Sequence, residues 1–597
     1  MPYARHYNQQ RRGPAPHPLA PVRARWFLTI IVVLVSVIAV KLAMVQVVRR
    51  GHYMELDRSL HRGSDPELPS PGGIYARGLE PMAVSVPLVS VCANPEDVAA
   101  SREGIAGIAR EVATLADLNA ADLRQKLDSG LRSGRKFVYL ARLLEPESLA
   151  ELMEHPPDGV WTIREYKRVY PGGRLACHVL GRRSAWHEPL EGAELRWSFL
   201  LAGRPGTRPK NVDRYGRSIL GEDAAGVLPP EPGKDLVLTI DWSLQQVAEM
   251  ALDDCMTTSQ PRAATCVVMD PRTGEVLALA SRPNFDPASM EPGEPEEIAA
   301  RLQNLPVVRA YEPGSLFKVL LAAATVQSPR WKPSITYNCT RETTIGGQPL
   351  RCWDDHAHGP CDLARMLAKS CNIAAARFAL LIGAEHYHRF LAKLGFGRRT
   401  GIGLPGEVSG TLRPAEDMRT RDLANLGFGQ GVAVTDIQMV TAISAVVNGG
   451  LLMQPHIVRA VTDAETGRVV RQIEPLEVRR VCDETDSATV REMMGEVVEN
   501  GTGWRAKIEG IAVGGKTGTA QKWIAEEGGF VPGRNIVSFV MVAPLDEPRF
   551  VILVTADEPS RGEHGSEVAA PVARTVAMAA LRQAGLLPAQ AEISTDA

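Results

Sequence analysis

Tyr311-Glu312-Pro313-Gly314-Ser315-Leu316-Phe317-Lys318-Val319-Leu320 is the stretch on which the fold and chemistry of this chain turn. Pro313 and Gly314 interrupt what precedes them, and Leu316 to Val326 is almost wholly apolar, so the spacing predicts a buried helix opening at a serine. In that helix Ser315 and Lys318 stand one turn apart on the same face. A serine hydroxyl is a poor nucleophile at neutral pH and needs a base beside it. Lys318, held among Leu316, Phe317, Val319 and Leu320, fits that task once desolvation lowers its pKa. The spacing alone has little specificity. Ser-x-x-Lys arises roughly once by chance in a chain of this length, and Ser133 with Lys136 is such a match, in a basic segment with no apolar helix behind it.

Working outward, 597 residues suffice for two to four domains, and 45% apolar with 23% charged content is that of globular protein. A net charge of −2 gives no case for nucleic acid, and no Walker-type or dinucleotide-type glycine loop is present. Nine cysteines leave at least one unpaired if the others form disulfides, and their spacing is not that of a small disulfide scaffold.

The N-terminus carries Arg5, Arg11, Arg12, Arg23 and Arg25 with no acidic residue through position 25. Trp26 to Val48 then runs apolar except for Thr29, Ser36, Lys41 and Gln46, long enough to cross a bilayer, with Lys41 near the far end where it can snorkel. Positive charge before the span predicts a cytoplasmic tail and an exported body. The absence of a small-x-small cleavage site favours an uncleaved anchor over a signal peptide.

Residues 49–245 are rich in Pro, Gly and Arg, with strand-like runs at Ala83 to Val91 and Asp235 to Ile240 and helical stretches at Glu96 to Leu115 and Pro146 to Glu154. No catalytic constellation stands out there, and the expectation is a structural or docking module. Residues 246–585 read as a second domain. Thr265 to Met269 and Glu275 to Ser281 flank a turn at Asp270-Pro271-Arg272-Thr273-Gly274. Helices are expected around Ser315, at Leu363 to Leu381 and at Thr435 to Val447. Strands follow at Ile511 to Ala520, Ile536 to Val542 and Phe550 to Thr555, with a last helix from about Val568 to Ala584. Strands at both ends with helices between predict an α+β fold whose antiparallel sheet joins the first and last segments. Residues 586–597 read as a tail.

Two further motifs follow in order. Lys369-Ser370-Cys371-Asn372 lies 55 positions after Ser315, and Gly515-Lys516-Thr517-Gly518-Thr519-Ala520 lies on an expected strand 146 positions after Ser370. Near-matches to the last occur at Arg272-Thr273-Gly274 and Arg399-Thr400-Gly401, so order and context carry the weight. Together the set is that of penicillin-binding proteins and serine β-lactamases, with Cys371 where Asp is usual.

With these residues the chain resembles the class B penicillin-binding proteins, membrane-anchored transpeptidases of bacterial wall synthesis. The likeness extends to Gly429-Gln430-Gly431, Val434-Thr435, Asn448-Gly449-Gly450 and Ala569-Ala570-Pro571-Val572. In the N-terminal half, Arg168-Val169-Tyr170-Pro171, His178-Val179-Leu180-Gly181, Gly203-Arg204-Pro205-Gly206 and Asp213-Arg214 resemble the family's pedestal. The run Thr517-Gly518-Thr519-Ala520-Gln521-Lys522 is closer to the cell-division branch than to the elongation branch. Pro71-Gly72-Gly73-Ile74-Tyr75-Ala76-Arg77-Gly78-Leu79 departs from the pedestal pattern by losing an Arg, an Asp and an Asn-Gly, and Leu316 stands where Thr is commoner. The resemblance implies a serine β-lactamase/transpeptidase-like domain, preceded by a mixed α/β pedestal and one transmembrane helix.

It also implies roles. Ser315 attacks the penultimate D-Ala carbonyl of a peptidoglycan stem peptide and Lys318 takes its proton. Ser370 relays a proton to the leaving amine, and Asn372 holds substrate and Lys318. Lys516, Thr517, Gly518 and Thr519 receive the terminal carboxylate. β-Lactams would acylate Ser315, and no metal or organic cofactor is implied. Implied partners are nascent glycan strands, a membrane glycosyltransferase and other division proteins. A bifunctional class A enzyme would need a glycosyltransferase domain for which residues 49–245 leave no room. A β-lactamase or carboxypeptidase would pass the acyl group to water, and a non-catalytic scaffold would have no need of the intact set.

Cys352, His356, His358 and Cys361, with Cys339 nearby, have metal-ligand types. In an exported loop the reading is a solvated segment with a disulfide or free thiols. Cys371 reads as a small buried thiol. Trp353 and Trp523 are candidates for the groove wall.

Overall fold

The computed structural model describes residues 20–49, 62–184, 187–211, 228–524 and 529–587. Most of the basic N-terminal tail, Asp213-Arg214 and positions 588–597 lie outside the described residues. The chain divides into two units. The smaller holds a helix (Ala20–Ala43), a π-helical turn (Met44–Val48), and strand β1 (Arg62–Glu67) antiparallel to β6 (Gly206–Asn211). Arg25–Gln46 has a mean hydropathy of 2.8 and exposes its apolar side chains on every side, as a lipid-facing helix does.

The larger unit is built on two large sheets, with three two-stranded ladders beside them. The first is mixed: β2 (Ile74–Tyr75), β3 (Pro81–Ala93), β4 (Val138–Leu144), β5 (Val160–Val169) and β7 (Lys234–Leu238) are joined by β15 (Val458–Asp463) and β16 (Val469–Gln472). The last two come from far down the sequence, so the N-terminal and C-terminal halves share a sheet. Val89, Val91 and Leu140 on it pack against Val112 and Leu127 of two amphipathic helices (Gly104–Leu115 and Ala120–Arg132). The unusual Pro71–Leu79 segment is pinned here: β2 runs parallel to β7, and Gly73 N donates to Asp235 Oδ1 at 2.6 Å. Arg168 Nε and Arg183 Nε donate to the two oxygens of fully buried Glu194 at 2.6 and 2.7 Å, and Arg168 Nη1 also reaches Gly72 O at 2.7 Å.

The second sheet is antiparallel throughout, in the order β18 (Gly514–Ile524), β19 (Gly529–Ala543), β20 (Phe550–Asp557), β8 (Ala263–Met269), β9 (Val276–Arg282). First and last segments of the domain thus pair, as the distribution of strand-like runs implies. Strict alternation sorts its residues between two cores. Val267, Val540, Val542 and Leu553 face the core built around helices Lys318–Val326 and Asp436–Val447. Cys266, Val268, Phe539, Met541 and Ile552 face helices Trp242–Thr258 and Gly565–Gln583. Both faces being buried explains why the strands read as continuous apolar runs.

Three expected helices differ in detail. Glu96 to Leu115 is two helices (Pro95–Ala100 and Gly104–Leu115), with Ser101 Oγ capping Gly104 N at 3.1 Å. Pro146 to Glu154 begins as a 3-10 turn (Pro146–Leu149) before its short α-helix. Leu363 to Leu381 is broken into Leu363–Ala368 and Asn372–Ile382 because Ser370 adopts a left-handed conformation at φ +52°. That break places chemistry where a continuous helix would have none.

Glu194→Ala leaves two arginines buried without their counter-ion, a loss worth about 3–5 kcal/mol. The expected outcome is a melting temperature lower by several degrees, measured on the detergent-solubilised chain, with Glu194→Gln intermediate.

Candidate active site

The nucleophile turn is assembled from backbone first. Tyr311 and Val434 exchange both main-chain hydrogen bonds at 2.9 Å, Gly314 N donates to Gly429 O at 3.1 Å, and Glu312 Oε1 accepts from Gly431 N at 2.9 Å. The approach is so close that a Cβ on Gly429 would lie 2.1 Å from Gly314 O, so only glycine fits. Gly314–Phe317 then form a 3-10 turn that feeds the α-helix Lys318–Val326. Ser315 is half-buried at the turn, while Leu316 and Lys318 are fully buried. Leu316 therefore packs in the core and stays out of the chemistry.

Lys318 Nζ donates to Ser370 O at 2.5 Å, to Asn372 Oδ1 at 2.7 Å and to Ser370 Oγ at 3.2 Å. From the opposite side Lys516 Nζ donates to the same Ser370 Oγ at 2.9 Å, and to Thr517 O at 2.9 Å. The positive φ at Ser370 turns both its carbonyl and its hydroxyl toward these amines. Residues from three distant segments thus meet at one hydroxyl. Burial is the largest cause of the shift at both lysines: it lowers Lys318 to about 8, and it holds Lys516 well below its ordinary value, with repulsion from Lys318 adding to it. Burial and the repulsion between the two amines both disfavour a second positive charge here, so the pair can offer an amine base beside a cation.

Strand β18 forms the other wall. Thr517 Oγ1 pairs with Thr502 Oγ1 at 2.9 Å, and Thr519 is exposed on the same strand. A Cβ on Gly518 would lie 2.2 Å from Ser538 Oγ and 3.0 Å from Leu316 Cγ, so glycine here lets the nucleophile turn lie against the strand. A hydroxyl nucleophile, an amine base, a relay hydroxyl, an amide and a hydroxyl-lined cation suit acyl transfer from a substrate bearing a carboxylate.

Thr502 was not singled out in the sequence, since Asn500-Gly501-Thr502-Gly503 looks like an ordinary turn; its contact becomes visible only when Thr502 N bonds Ala368 O at 3.1 Å. Ser133, the competing match, caps the helix Ala120–Arg132 through Ser129 O at 2.9 Å and is no part of this site. Trp353 is exposed beside the Ser370 loop, donating to Lys369 O at 3.1 Å. The side chain of Trp523 lies outside the described residues. The expected solvated loop is corrected: Cys339, His358 and Cys361 are buried, His356 is exposed, and all nine cysteines are free. Cys339, Cys352 and His358 come together with Cys371, which the sequence spacing had not grouped with them.

Two buried lysines that meet at the Ser370 hydroxyl, one of them a turn along from half-buried Ser315, on a helix-flanked antiparallel sheet define the site of a serine acyltransferase. Residues 264–578 match the penicillin binding protein transpeptidase domain, and residues 66–188 match the penicillin-binding protein dimerisation domain. Stage V sporulation protein D of Bacillus subtilis is 34% identical over 461 residues, covering 77% of this chain and 70% of that protein. Peptidoglycan D,D-transpeptidase FtsI of Escherichia coli is 27% identical over 522 residues, covering 87% and 84%. The crystal structure of penicillin binding protein 3 from Mycobacterium tuberculosis complexed with aztreonam superposes with a TM-score of 0.66 at 25% identity, covering 87% of this chain and 98% of that one. The chain belongs to the penicillin-binding proteins, as a serine transpeptidase with the dimerisation domain of the class B members.

Burial of Lys318 sets a pH dependence. Its neutral, basic form grows about tenfold per unit as pH rises toward 8. Acylation of the protein by a penicillin should therefore accelerate from pH 6 to about 8 and then level; stopped-flow labelling that is flat across this range would contradict the assignment. The same lowered value, against an ordinary 10.5, means the unfolded chain binds the extra proton between about 8 and 10.5, so this group's contribution to stability rises with pH across that window.

Proposed function

We propose that the chain is a membrane-anchored peptidoglycan D,D-transpeptidase of septal wall synthesis, in which Ser315 carries the acyl group. The observation that carries this reading is the convergence of Lys318, Ser370, Asn372 and Lys516 on one another beside the half-buried Ser315. A stem peptide ending in D-Ala-D-Ala enters along β18, its terminal carboxylate received by Lys516, Thr517 and Thr519 over the bare backbone of Gly518. Arrival of that negative charge favours the charged form of Lys516, which in turn pushes the proton off Lys318. Neutral Lys318 then takes the Ser315 proton as the hydroxyl attacks the penultimate carbonyl. The C–N bond breaks and the D-Ala nitrogen receives a proton through Ser370. Asn372 holds the Lys318 amine and the substrate amide, and the N–H groups of Ser315 and Thr519 stabilise the oxyanion. An amine of a second stem peptide displaces Ser315 and completes the cross-link. β-Lactams follow the first half of this path and stop as acyl-serine adducts.

The domain division that fits is a cytoplasmic tail at 1–25, a span at 26–48, a pedestal at 49–245, the transpeptidase domain at 246–585 and a tail at 586–597. The arginines before the span support an N-terminus inside and a catalytic domain outside the cytoplasmic membrane. The Thr517–Lys522 run supports the division branch, with a membrane glycosyltransferase and division proteins as partners.

The test is turnover on nascent glycan strands polymerised from lipid-linked precursor by an added glycosyltransferase. Wild type should release D-Ala in step with cross-linked peptide dimers. Ser315→Ala should lose at least about 10³-fold of this rate. D-Ala release with only monomeric tetrapeptide products would mean hydrolysis and contradict the cross-linking role.

A further inference from the structure

Beside the Ser370 loop, four side chains from separate segments aim their ligand atoms at one point. Cys339 ends strand β10 (Tyr337–Cys339), and Cys352 follows strand β12 (Gln348–Arg351). His358 precedes strand β13 (Gly359–Cys361), and Cys371 caps the helix Asn372–Ile382. Their sulfur and ring-nitrogen atoms all lie within 4.8 Å of one another. His358 Nδ1 is 3.6 Å from Cys339 Sγ and 3.5 Å from Cys352 Sγ, and Cys352 Sγ is 3.9 Å from Cys371 Sγ. A tetrahedral zinc ion with Zn–S of about 2.3 Å and Zn–N of about 2.0–2.1 Å requires S···N edges of about 3.5 Å and S···S edges of about 3.8 Å. All three distances fit those edges.

Four more observations point the same way. One ring nitrogen faces two sulfurs at once, which a single lone pair or a single N–H serves poorly and a shared cation explains. Asp354 Oδ2 lies 3.4 Å from His358 Nε2, the place of the carboxylate that orients many metal-bound histidines. Ala374 N donates to Cys371 Sγ at 3.4 Å, so this sulfur is held as the N-cap of its helix, facing the other three ligand atoms. The segment carrying Cys339, Cys352 and His358 consists only of two-stranded ladders, β10 with β13 and β11 (Glu342–Ile345) with β12, so it gains most from a cross-link to the helices.

We propose that Cys339, Cys352, His358 and Cys371 bind one zinc ion, clamping this segment to the loop that presents Ser370 and Asn372. On binding, three thiols lose their protons to solvent and neutral His358 donates its Nδ1 lone pair. Cys371 stands between Ser370 and Asn372, whose oxygens hold Lys318 Nζ at 2.5 and 2.7 Å, so it is a positioning residue for the base. The metal site stands independently of the transpeptidase reading; only its effect on acylation rests on it.

The experiment is metal analysis of the full chain, purified in detergent without a histidine tag, before and after exchange with Co²⁺. Wild type should carry one zinc per chain. The cobalt form should show thiolate-to-cobalt charge transfer in the near ultraviolet and intense visible bands of tetrahedral geometry. Cys339→Ser and Cys352→Ser should lose the metal, and Cys482→Ser should keep it. Stripping zinc with a chelator should slow penicillin acylation on the order of tenfold, restored by Zn²⁺ alone. Absence of zinc with weak octahedral cobalt bands would overturn the proposal, as would an intact mass showing a disulfide among these cysteines. Zinc bound with the cobalt signature, but acylation unchanged on stripping, would uphold the site and overturn its positioning role.

Discussion

Everything in this molecule is subordinate to the burial of two lysine amines against one serine hydroxyl. Lys318 and Lys516 are both fully buried and both donate to Ser370 Oγ. Removing an ammonium group from water costs several kcal/mol unless it is paired or neutralised. Among the described residues no carboxylate is offered to either amine. The structure supplies neutral oxygens instead, from Ser370 O, Asn372 Oδ1 and Thr517 O. That choice leaves the protons loosely held, which is what a base requires and what a structural ion pair would forbid.

Holding that arrangement demands rigid supports on three sides. The Ser315 turn is locked to Gly429 by backbone contact, β18 is locked to β19 and backed by the helix Gly565–Gln583, and the Ser370 loop is forced into a left-handed bend between two helices. Gly565 approaches so closely that a Cβ there would lie 2.1 Å from Ser538 O. The two cores on either face of the sheet fix the strands, and the strands fix Lys516. The N-terminal half shares this rigidity through the strands that β15 and β16 add to its sheet.

Much of this was legible in the sequence because it rests on local signals. The apolar run after Ser315 and the strand-like segments at both ends of the domain follow from periodicity, and the three motifs in order were legible through the resemblance to penicillin-binding proteins. Other features were not legible, because they depend on contacts across tens or hundreds of residues. Thr502 meets Thr517 only through the packing of two turns. The break at Ser370 is a backbone conformation that an Ala- and Leu-rich stretch conceals, since helix propensity favours continuity there. Cys371 joins Cys339, Cys352 and His358 only because that same break turns its sulfur toward them. At Pro71–Leu79, which loses an Arg, an Asp and an Asn-Gly of the pedestal pattern, β2 keeps its place through backbone pairing with β7 and the Gly73 N to Asp235 contact.

The central claim is that Ser315, and no other serine, takes the acyl group. Labelling the purified chain with a fluorescent penicillin, beside Ser315→Ala and Ser133→Ala, tests it most directly. The account predicts a stable adduct in wild type and in Ser133→Ala, and none in folded Ser315→Ala. A persistent adduct in Ser315→Ala, or no adduct in folded wild type, would contradict it.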